Sequence, residues 1–472
     1  MIRILYIVLA MLAMPVQAKP NIVLILTDDF SMNLMPGNSG MDGSYMPHLT
    51  KMMADGLVFD NFFVTDSLCC PSRASIFTGL LPHNTGVLTN GAPDGGLYAF
   101  DLHGDAQKTF VLPLQAAGYQ TSFAGKYLNG YDEAVSDIPP GWTDWVSTSN
   151  GYPGYGYVLN HNGVLSTPAD HFTDTISELG RAFMAQAIQP FFLELASFSP
   201  HKPYTPPTRY NGAFLNAVVP RTPAYNARPD ANAPDWLQIM PPVKVHAQRE
   251  YDAIFRLRLQ GSQGVDDMIG DVRAQLETLG IADNTYVIFT SDNGYHIGEY
   301  SLRPGKMTPF DTDIHVPFVV VGPGVPAGTH TSALAMNIDL YPTFLALAGA
   351  PPSADVDGHS LANLFQGRIA AARSVALIEH TQPVYDPNDP DASEPKAGDP
   401  PTYTALRMAH SMYVEYVTGE VGYYYLKRDP YELHNTVAKL TPAHLAALHT
   451  ALVANRDCVG AVQCAAAQAL MR

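Results

Sequence analysis

Cysteine is scarce in this 472-residue chain: Cys69 and Cys70 stand side by side, and Cys458 and Cys464 lie near the end. Adjacent cysteines are poorly spaced for a thiolate metal site, and no further Cys or His pair stands at finger-like spacing, which excludes a structural zinc module. Basic residues are also few, 27 Lys plus Arg against 44 Asp plus Glu, for a formal net charge of -17. That balance excludes an extended basic face that tracks nucleic acid, though not a small positive pocket. Apolar runs long enough to cross a bilayer are missing too. The N-terminal stretch MIRILYIVLAMLAMPVQAKPN is short for a span, lacks a stop-transfer flank and ends in small residues. This is the layout of a secretory signal peptide cut after Ala18. The expectation is an exported protein with no nucleic-acid or membrane partner, in an oxidising compartment where Cys458 and Cys464 of CVGAVQC form a local disulfide.

What is present is a series of buried-strand patterns. NIVLILT is a continuous apolar run ended by Asp28 and Asp29, and FFLELASF, TYVIFTSDNG and VPFVVVGPG repeat the pattern at 191–198, 285–294 and 316–324. Such runs fit strands covered on both faces. Residues 247–279 carry Val265, Met268, Ile269, Val272, Leu276 and Leu279 at helical spacing and stop at Gly280. Strands alternating with amphipathic helices predict an α/β domain on a large mixed, mainly parallel sheet flanked by helices. In such sheets ligands bind beyond the carboxyl ends of the strands, where Asp28, Asp29, Asp292 and Asn293 fall. The proline-rich residues 200–243 read as a long ordered excursion near the site. From about residue 370 the character changes to antiparallel strands with a hairpin at Thr418–Glu420, an acidic loop DPNDPDASEPKAGDPP, and a helix capped by Thr441 with Pro442 in its first turn. The expected organisation is a signal peptide at 1–18, a catalytic domain at 19–369 and a smaller C-terminal antiparallel sheet plus helix at 370–472.

Three separated segments carry the chemistry. CCPSRASIFTG at 69–79 resembles the sulfatase signature Cys-x-Pro-Ser-Arg followed by Thr-Gly. NIVLILTDD resembles that family's N-terminal metal-binding strand, and FTSDNGYHIGEY followed by Lys306 resembles its second metal segment. The resemblance runs from about Asn21 to YYYLKRDPYELHN. It is nearest the glucosamine-6-sulfatase-like branch, on GKYLNGY from Gly125 and the terminal cysteine pair.

The resemblance implies an alkaline-phosphatase-like fold and hydrolysis of a sulfate monoester on a sulfated sugar. It also implies a maturation enzyme that oxidises the signature cysteine to Cα-formylglycine, reading proline two residues on and arginine four residues on. From Cys69 these are Pro71 and Arg73; from Cys70 they are Ser72 and Ala74. Cys69 is therefore the candidate. One hydroxyl of a hydrated aldehyde attacks sulfur and the other then expels sulfate, where a serine would stay esterified. Pro71 suits a helix start, whose N-terminus favours an anion, and Arg73 reaches back to the nucleophile. Asp28, Asp29, Asp292 and Asn293 are hard oxygen ligands for a divalent cation that polarises sulfate. The resemblance implies calcium, with the oxidised Cys69 as a further ligand. Lys126 and Lys306 match the family's two active-site lysines, with Arg303 as the rival to Lys306. His201 matches its general acid toward the leaving alcohol. One departure stands out: the family histidine two residues after the first lysine is Leu128 here, with His83 and His296 as candidate replacements. Tyr127, Asn129 and Tyr204 flank the site as candidate sugar contacts. The rival expectations are a phosphate or phosphonate ester hydrolase on the same fold, and an unmatured secreted carbohydrate-binding homologue.

Overall fold

The computed structural model describes residues 18–42, 44–368, 373–384 and 396–471. The expected signal peptide, the domain boundary at 369–370 and most of the acidic loop lie outside the described residues. Along the chain the strands are β1 (Asn21–Thr27), β2 (Leu57–Phe59), β3 (Phe62–Phe63), β4 (Gln120–Gly125), β5 (Asp144–Ser147), β6 (Leu159–His161), β7 (Val164–Ser166), β8 (Phe191–Ala196), β9 (Thr285–Ser291), β10 (Phe318–Val321), β11 (Thr329–Thr331), β12 (Ala335–Met336), β13 (Val375–His380), β14 (Tyr403–Met408), β15 (Ser411–Tyr416) and β16 (Val421–Tyr425).

A 10-stranded sheet has the order β11-β2-β10-β9-β1-β8-β4-β5-β6-β7. Its centre, β9-β1-β8-β4-β5, is parallel throughout. The apolar run at 316–324 does form a strand, β10, but it lies antiparallel to β9. A continuous apolar run reports burial on both faces, not strand direction. Every residue of β1, β8 and β9 is buried. Alternate residues of β1 feed two cores. Ile22, Leu24 and Leu26 face the side of helix Cys69–Thr78, while Val23 and Ile25 face the side of helix Val245–Thr278. Full burial of such side chains stabilises by about 1.5–3 kcal/mol each, so two-sided packing makes this centre the rigid part of the molecule. The long helix starts two residues before its expected position and buries Val265, Met268, Ile269, Val272 and Leu276.

Strands β13-β14-β15-β16 form a separate antiparallel sheet, with the hairpin closed by Tyr416 N–H donating to the Glu420 carbonyl. Helix Pro442–Arg456 covers it with Leu448, Ala451 and Leu452, and Thr441 Oγ accepts from His444 N–H at 3.2 Å as its cap. This sheet shares one continuous core with the side of the large sheet that carries helix Cys69–Thr78. Cys458 and Cys464 form the expected disulfide. The excursion is ordered, with Ala224 and Trp236 buried.

Candidate active site

Strand register decides which residues meet. Thr27 pairs with Ser291, Leu26 with Ala196, and Gly125 with Ala196. The chain therefore leaves β9, β1, β8 and β4 side by side. Asp292 and Asn293, Asp28 and Asp29, and Lys126 follow directly; His201 follows after a short turn. Gly125 is required here: its φ is +147° and a Cβ would lie 2.0 Å from the Ala196 carbonyl oxygen. Asp29 has φ +63°, a left-handed conformation that aspartate tolerates better than most residues.

Helix Cys69–Thr78 is buried along its whole length. Pro71 lies in the first turn, where an N–H is not needed. Ser72 N–H donates to the Leu68 carbonyl, and Cys70 N–H donates to Asn90 Oδ1 at 2.9 Å. Asn90 thus caps this helix from outside it. Cys69 Sγ lies 3.3 Å from Asp28 Oδ1 and 2.8 Å from Lys306 Nζ. Cys70 belongs to the apolar core, and burial pushes its thiol up to about 12. A thiol held neutral there is a poor nucleophile and a poor metal ligand.

Arg73 ties the strand ends together. Its Nε donates to Asp292 Oδ2 at 2.8 Å, its Nη1 to the Lys126 carbonyl at 2.7 Å, and its Nη2 lies 3.8 Å from Asp28 Oδ2. Lys126 Nζ donates to Asp28 Oδ2 at 2.6 Å, and Lys306 Nζ to Asp29 Oδ1 at 2.8 Å. His201 Nε2 lies 3.6 Å from Asp29 Oδ2, while Nδ1 bonds the Lys202 carbonyl at 2.6 Å. Burial alone would raise the Asp28 carboxyl. The charges of Lys126, His201, Arg73 and Lys306 outweigh it and hold Asp28 well below the usual carboxylate range. Asp292 is instead pushed up to about 6 by burial and by the neighbouring Asp28 charge. Burial works against the Arg73 charge, but Asp292 and Asp28 keep its guanidinium firmly protonated. Lys306 is buried beside Cys69 and Arg303 is exposed, an arrangement that favours Lys306.

The donor set fits a divalent cation. Asp29 Oδ2 and Asn293 Oδ1 are buried without a hydrogen-bond partner among the described residues. Asn293 Nδ2 donates to Asp29 Oδ1 at 2.6 Å and to the Gly294 carbonyl at 2.8 Å, so its acceptor oxygen is the end left over. Ligand atoms of Asp28, Asp29, Cys69 and His201 lie within 4.8 Å of one another. Hard oxygens converging in a buried place suit calcium or magnesium. Asp292 is more engaged: Arg73 holds one oxygen, and the N–H groups of Asp29 and Asn293 donate to the other at 3.2 and 2.8 Å.

Other residues fall outside the expectations. His83 bonds Glu379 at 2.8 Å and the Cys458 carbonyl at 2.9 Å, and His296 bonds Asp313 at 2.9 Å and the Ala397 carbonyl at 2.9 Å. Both rings are engaged away from Cys69, so neither replaces the histidine absent at Leu128. Tyr127 is buried against Phe77 and Trp145 in the core, which rules it out as a sugar contact. The Asn129 carbonyl accepts from Leu97 N–H at 2.7 Å. Three supports were missed. Arg258 Nη2 donates to the Asp29 carbonyl at 2.5 Å, and its guanidinium lies 4.4 Å from the Tyr295 ring centroid. Tyr295 in turn shares a 2.7 Å hydrogen bond with Tyr204. Asp313 accepts from Thr308 N–H at 2.9 Å and steadies the loop that carries Lys306. The one available signal for Arg258 was a cation one turn from Phe255, on the apolar face of its helix.

Residues 20–350 match the family model described as Sulfatase, and residues 298–457 match that of N-sulphoglucosamine sulphohydrolase, C-terminal. Human N-acetylglucosamine-6-sulfatase is 32% identical over 479 residues, covering 94% of this chain and 85% of that protein. The extracellular sulfatase SULF-1 homologue of Drosophila melanogaster is 34% identical over 368 residues, covering 76% of this chain. The chain covers 32% of that protein and 49% of the extracellular sulfatase homologue of Caenorhabditis elegans. Among solved structures, a protein in complex with its substrate D-glucosamine-2-N,6-O-disulfate has TM-score 0.76 and 23% identity, over 92% of this chain and 97% of the other. The phosphonate monoester hydrolase of Agrobacterium radiobacter has TM-score 0.70 and 20% identity, over 93% and 96%. By its family match over residues 20–350 and its 32% identity to a relative of which it covers 85%, this chain belongs to the sulfatase family.

Proposed function

We propose that the chain hydrolyses sulfate monoesters of sugars at this cluster, with Cys69 as the precursor of a Cα-formylglycine nucleophile. One observation carries the reading. Arg73, Lys126, Lys306 and His201 converge around the one cysteine whose spacing to Pro71 and Arg73 fits the maturation pattern, while its neighbour Cys70 is packed into the core. The relatives named as N-acetylglucosamine-6-sulfatases favour a sulfated glucosamine as substrate. The relatives named as extracellular favour an exported protein, and among the described residues no helix is long and apolar enough to cross a membrane.

Asp28, Asp29, Asp292 and Asn293, with residue 69, would hold one calcium ion, which when bound supplies positive charge to a sulfate oxygen and acidifies the attacking hydroxyl. Formylglycine, once hydrated, supplies one hydroxyl for attack on sulfur and a second for release of sulfate. The chain's own residues do the rest. Lys306, 2.8 Å from the atom at position 69, holds the nucleophile, and Lys126 brings a second cation to the sulfate oxygens. Arg73 fixes Asp292 and the turn after β4 in one contact. His201 has a set tautomer. Its Nδ1 faces a carbonyl, which only accepts, so Nδ1 carries a proton. To act as the acid, His201 would carry a further proton on Nε2, the nitrogen on the Asp29 side, and pass it from there to the leaving alcohol.

The test is a comparison of kcat/KM on glucosamine 6-sulfate, an aryl sulfate and a phenyl phosphonate monoester, together with mass spectrometry of the peptide containing residue 69. Sulfate preference and an aldehyde at 69 are expected. Phosphonate preference moves the chain to the rival hydrolase class. An intact thiol in active protein sinks the nucleophile assignment, and an intact thiol without turnover marks a carbohydrate-binding homologue.

A further inference from the structure

Lys126 and His201 are almost fully buried, at 3% and 4% exposure. Something must separate them from solvent while letting the leaving alcohol in. The loop carrying Gly151 and Tyr152 packs against both. The Tyr152 ring is half-buried, lies 4.8 Å from the His201 ring, and has Lys126 Nζ 4.8 Å from its centroid. Phe198 supports it edge-on at 4.6 Å. Gly151 allows that approach: a Cβ there would lie 2.3 Å from the Phe198 ring. Beside this ring runs a small cleft lined by Tyr152, Phe198, His201 and Tyr204 with the polar Ser199 and Thr205.

The place of His201 beside the cluster, 3.6 Å from Asp29 and against the Tyr152 ring, sets where the leaving group would stand. The oxygen that departs from sulfur meets Nε2, so the body of the alcohol extends from the imidazole into this cleft. We propose that Tyr152 is the platform of a leaving-group subsite, packing against the C–H face of the pyranose ring that bears the sulfate. Sugars present an apolar face and a rim of hydroxyls. An aromatic ring with a polar tip, flanked by small hydroxyl side chains, matches both. Tyr152 is in this sense a specificity residue, and the assignment rests on the sulfated-sugar reading above.

Binding separates the two proposals. Cys69→Ala protein is titrated calorimetrically with glucosamine 6-sulfate, with and without Tyr152→Ala or Tyr152→Phe. The expected result is a Kd raised about ten-fold by Tyr152→Ala, the scale of losing a buried aromatic anchor, and changed less than about three-fold by Tyr152→Phe. Enzyme that retains Cys69 is assayed in parallel on glucosamine 6-sulfate and on ethyl sulfate, which has no ring to stack. Tyr152→Ala is expected to raise KM on the sugar sulfate far more than on ethyl sulfate, with kcat moved less than KM. Equal losses on both substrates would overturn the platform and leave the ring as a prop for Lys126 and His201. An unaltered Kd in the Tyr152→Ala protein would overturn it directly. If Cys69→Ala protein binds no sugar sulfate while the unsubstituted enzyme cleaves aryl sulfate, the sugar reading fails and takes the platform with it. If the sugar sulfate binds but nothing is hydrolysed, the activity reading fails and the platform stands or falls on the Kd ratio alone.

Discussion

The acidic half of the site hangs on strand ends, whereas the half that meets the leaving group hangs on loops. Asp28, Asp29, Asp292, Asn293 and Lys126 each follow a strand of the parallel centre, and their spacing is set by the β1–β9 and β4–β8 ladders. His201, Tyr152 and Lys306 come from turns whose positions depend on ring contacts and on Asp313. A ladder buried on both faces has little freedom to shift, so charges mounted on it are pre-organised for sulfate and metal. Loops can vary without disturbing the sheet, and on the proposal above the choice of alcohol is made there. The carboxylates and Lys126 thus sit on strand ends, while His201, Tyr152 and Lys306 sit on loops.

The harshest test of this division falls on the strand-and-helix half. Cys69→Ala is expected to lower turnover by about 10⁴-fold or more, the scale of removing a covalent nucleophile. The remaining Asp28, Asp29, Asp292 and Asn293 oxygens should still hold an ion, and the thermal midpoint should stay near that of the parent. Cys70→Ala should retain activity within a few-fold, because its thiol is a core methyl-sized group with burial holding it neutral. Loss of turnover in the Cys70 variant with retention in the Cys69 variant would show that the register was chosen wrongly. Asp29→Ala is next in severity. Elemental analysis should find about one bound ion fewer per chain, and calcium should no longer raise its unfolding midpoint, whereas the parent gains stability with ion concentration. A variant that keeps its ion would remove Asp29 from the ligand set.

The loop half should respond according to the leaving group. His201→Ala is expected to cost about 10² to 10⁴-fold in kcat on a sugar sulfate, whose alkoxide needs a proton. On p-nitrophenyl sulfate the loss should be much smaller, since that phenolate departs unprotonated. Steady-state kinetics on both esters decides it. Equal losses would make His201 a sulfate or metal contact instead of the acid.

The sequence was legible wherever the chemistry is local. Cys69, Pro71 and Arg73 lie within one helical turn of each other, and Asp28–Asp29 and Asp292–Asn293 each interrupt an apolar run. A single reading frame reveals them. The buried runs likewise announced β1, β8 and β9. The supports were illegible because they bridge distant parts of the chain. Arg258 meets Asp29 across a separation of 229 residues, and Asn90 caps a helix that begins 21 residues earlier at Cys69. No spacing rule connects such pairs before the fold exists. The same holds for Tyr152, one of several tyrosines in a glycine-rich loop until the ladder brings Lys126 beneath it. The direction of β10 was hidden for another reason: burial erases the alternation that marks an antiparallel strand with one face in solvent.

The smallest expected effect concerns two carboxyls in the same sheet. Asp28 at a strand end is surrounded by cations. Glu194, within β8, is buried with neither oxygen hydrogen-bonded among the described residues. Burial pushes Glu194 up to about 8 from its ordinary 4.5, opposed only by the charge of Arg73. The sign follows from linkage. The folded chain keeps a proton that the unfolded chain releases above 4.5, so the contribution to stability is greatest below that pH and fades as pH rises through about 8. Glu194→Leu should therefore raise the unfolding midpoint by a margin that grows from about pH 5 to pH 8 and levels off beyond. Glu194→Gln should abolish the same slope while keeping the shape of the side chain. Thermal unfolding across that range measures both variants. Parallel curves for parent and variants would mean that Glu194 is solvated in the fold, and the contrast between strand end and strand interior would then lie in access to water rather than in the placement of charge.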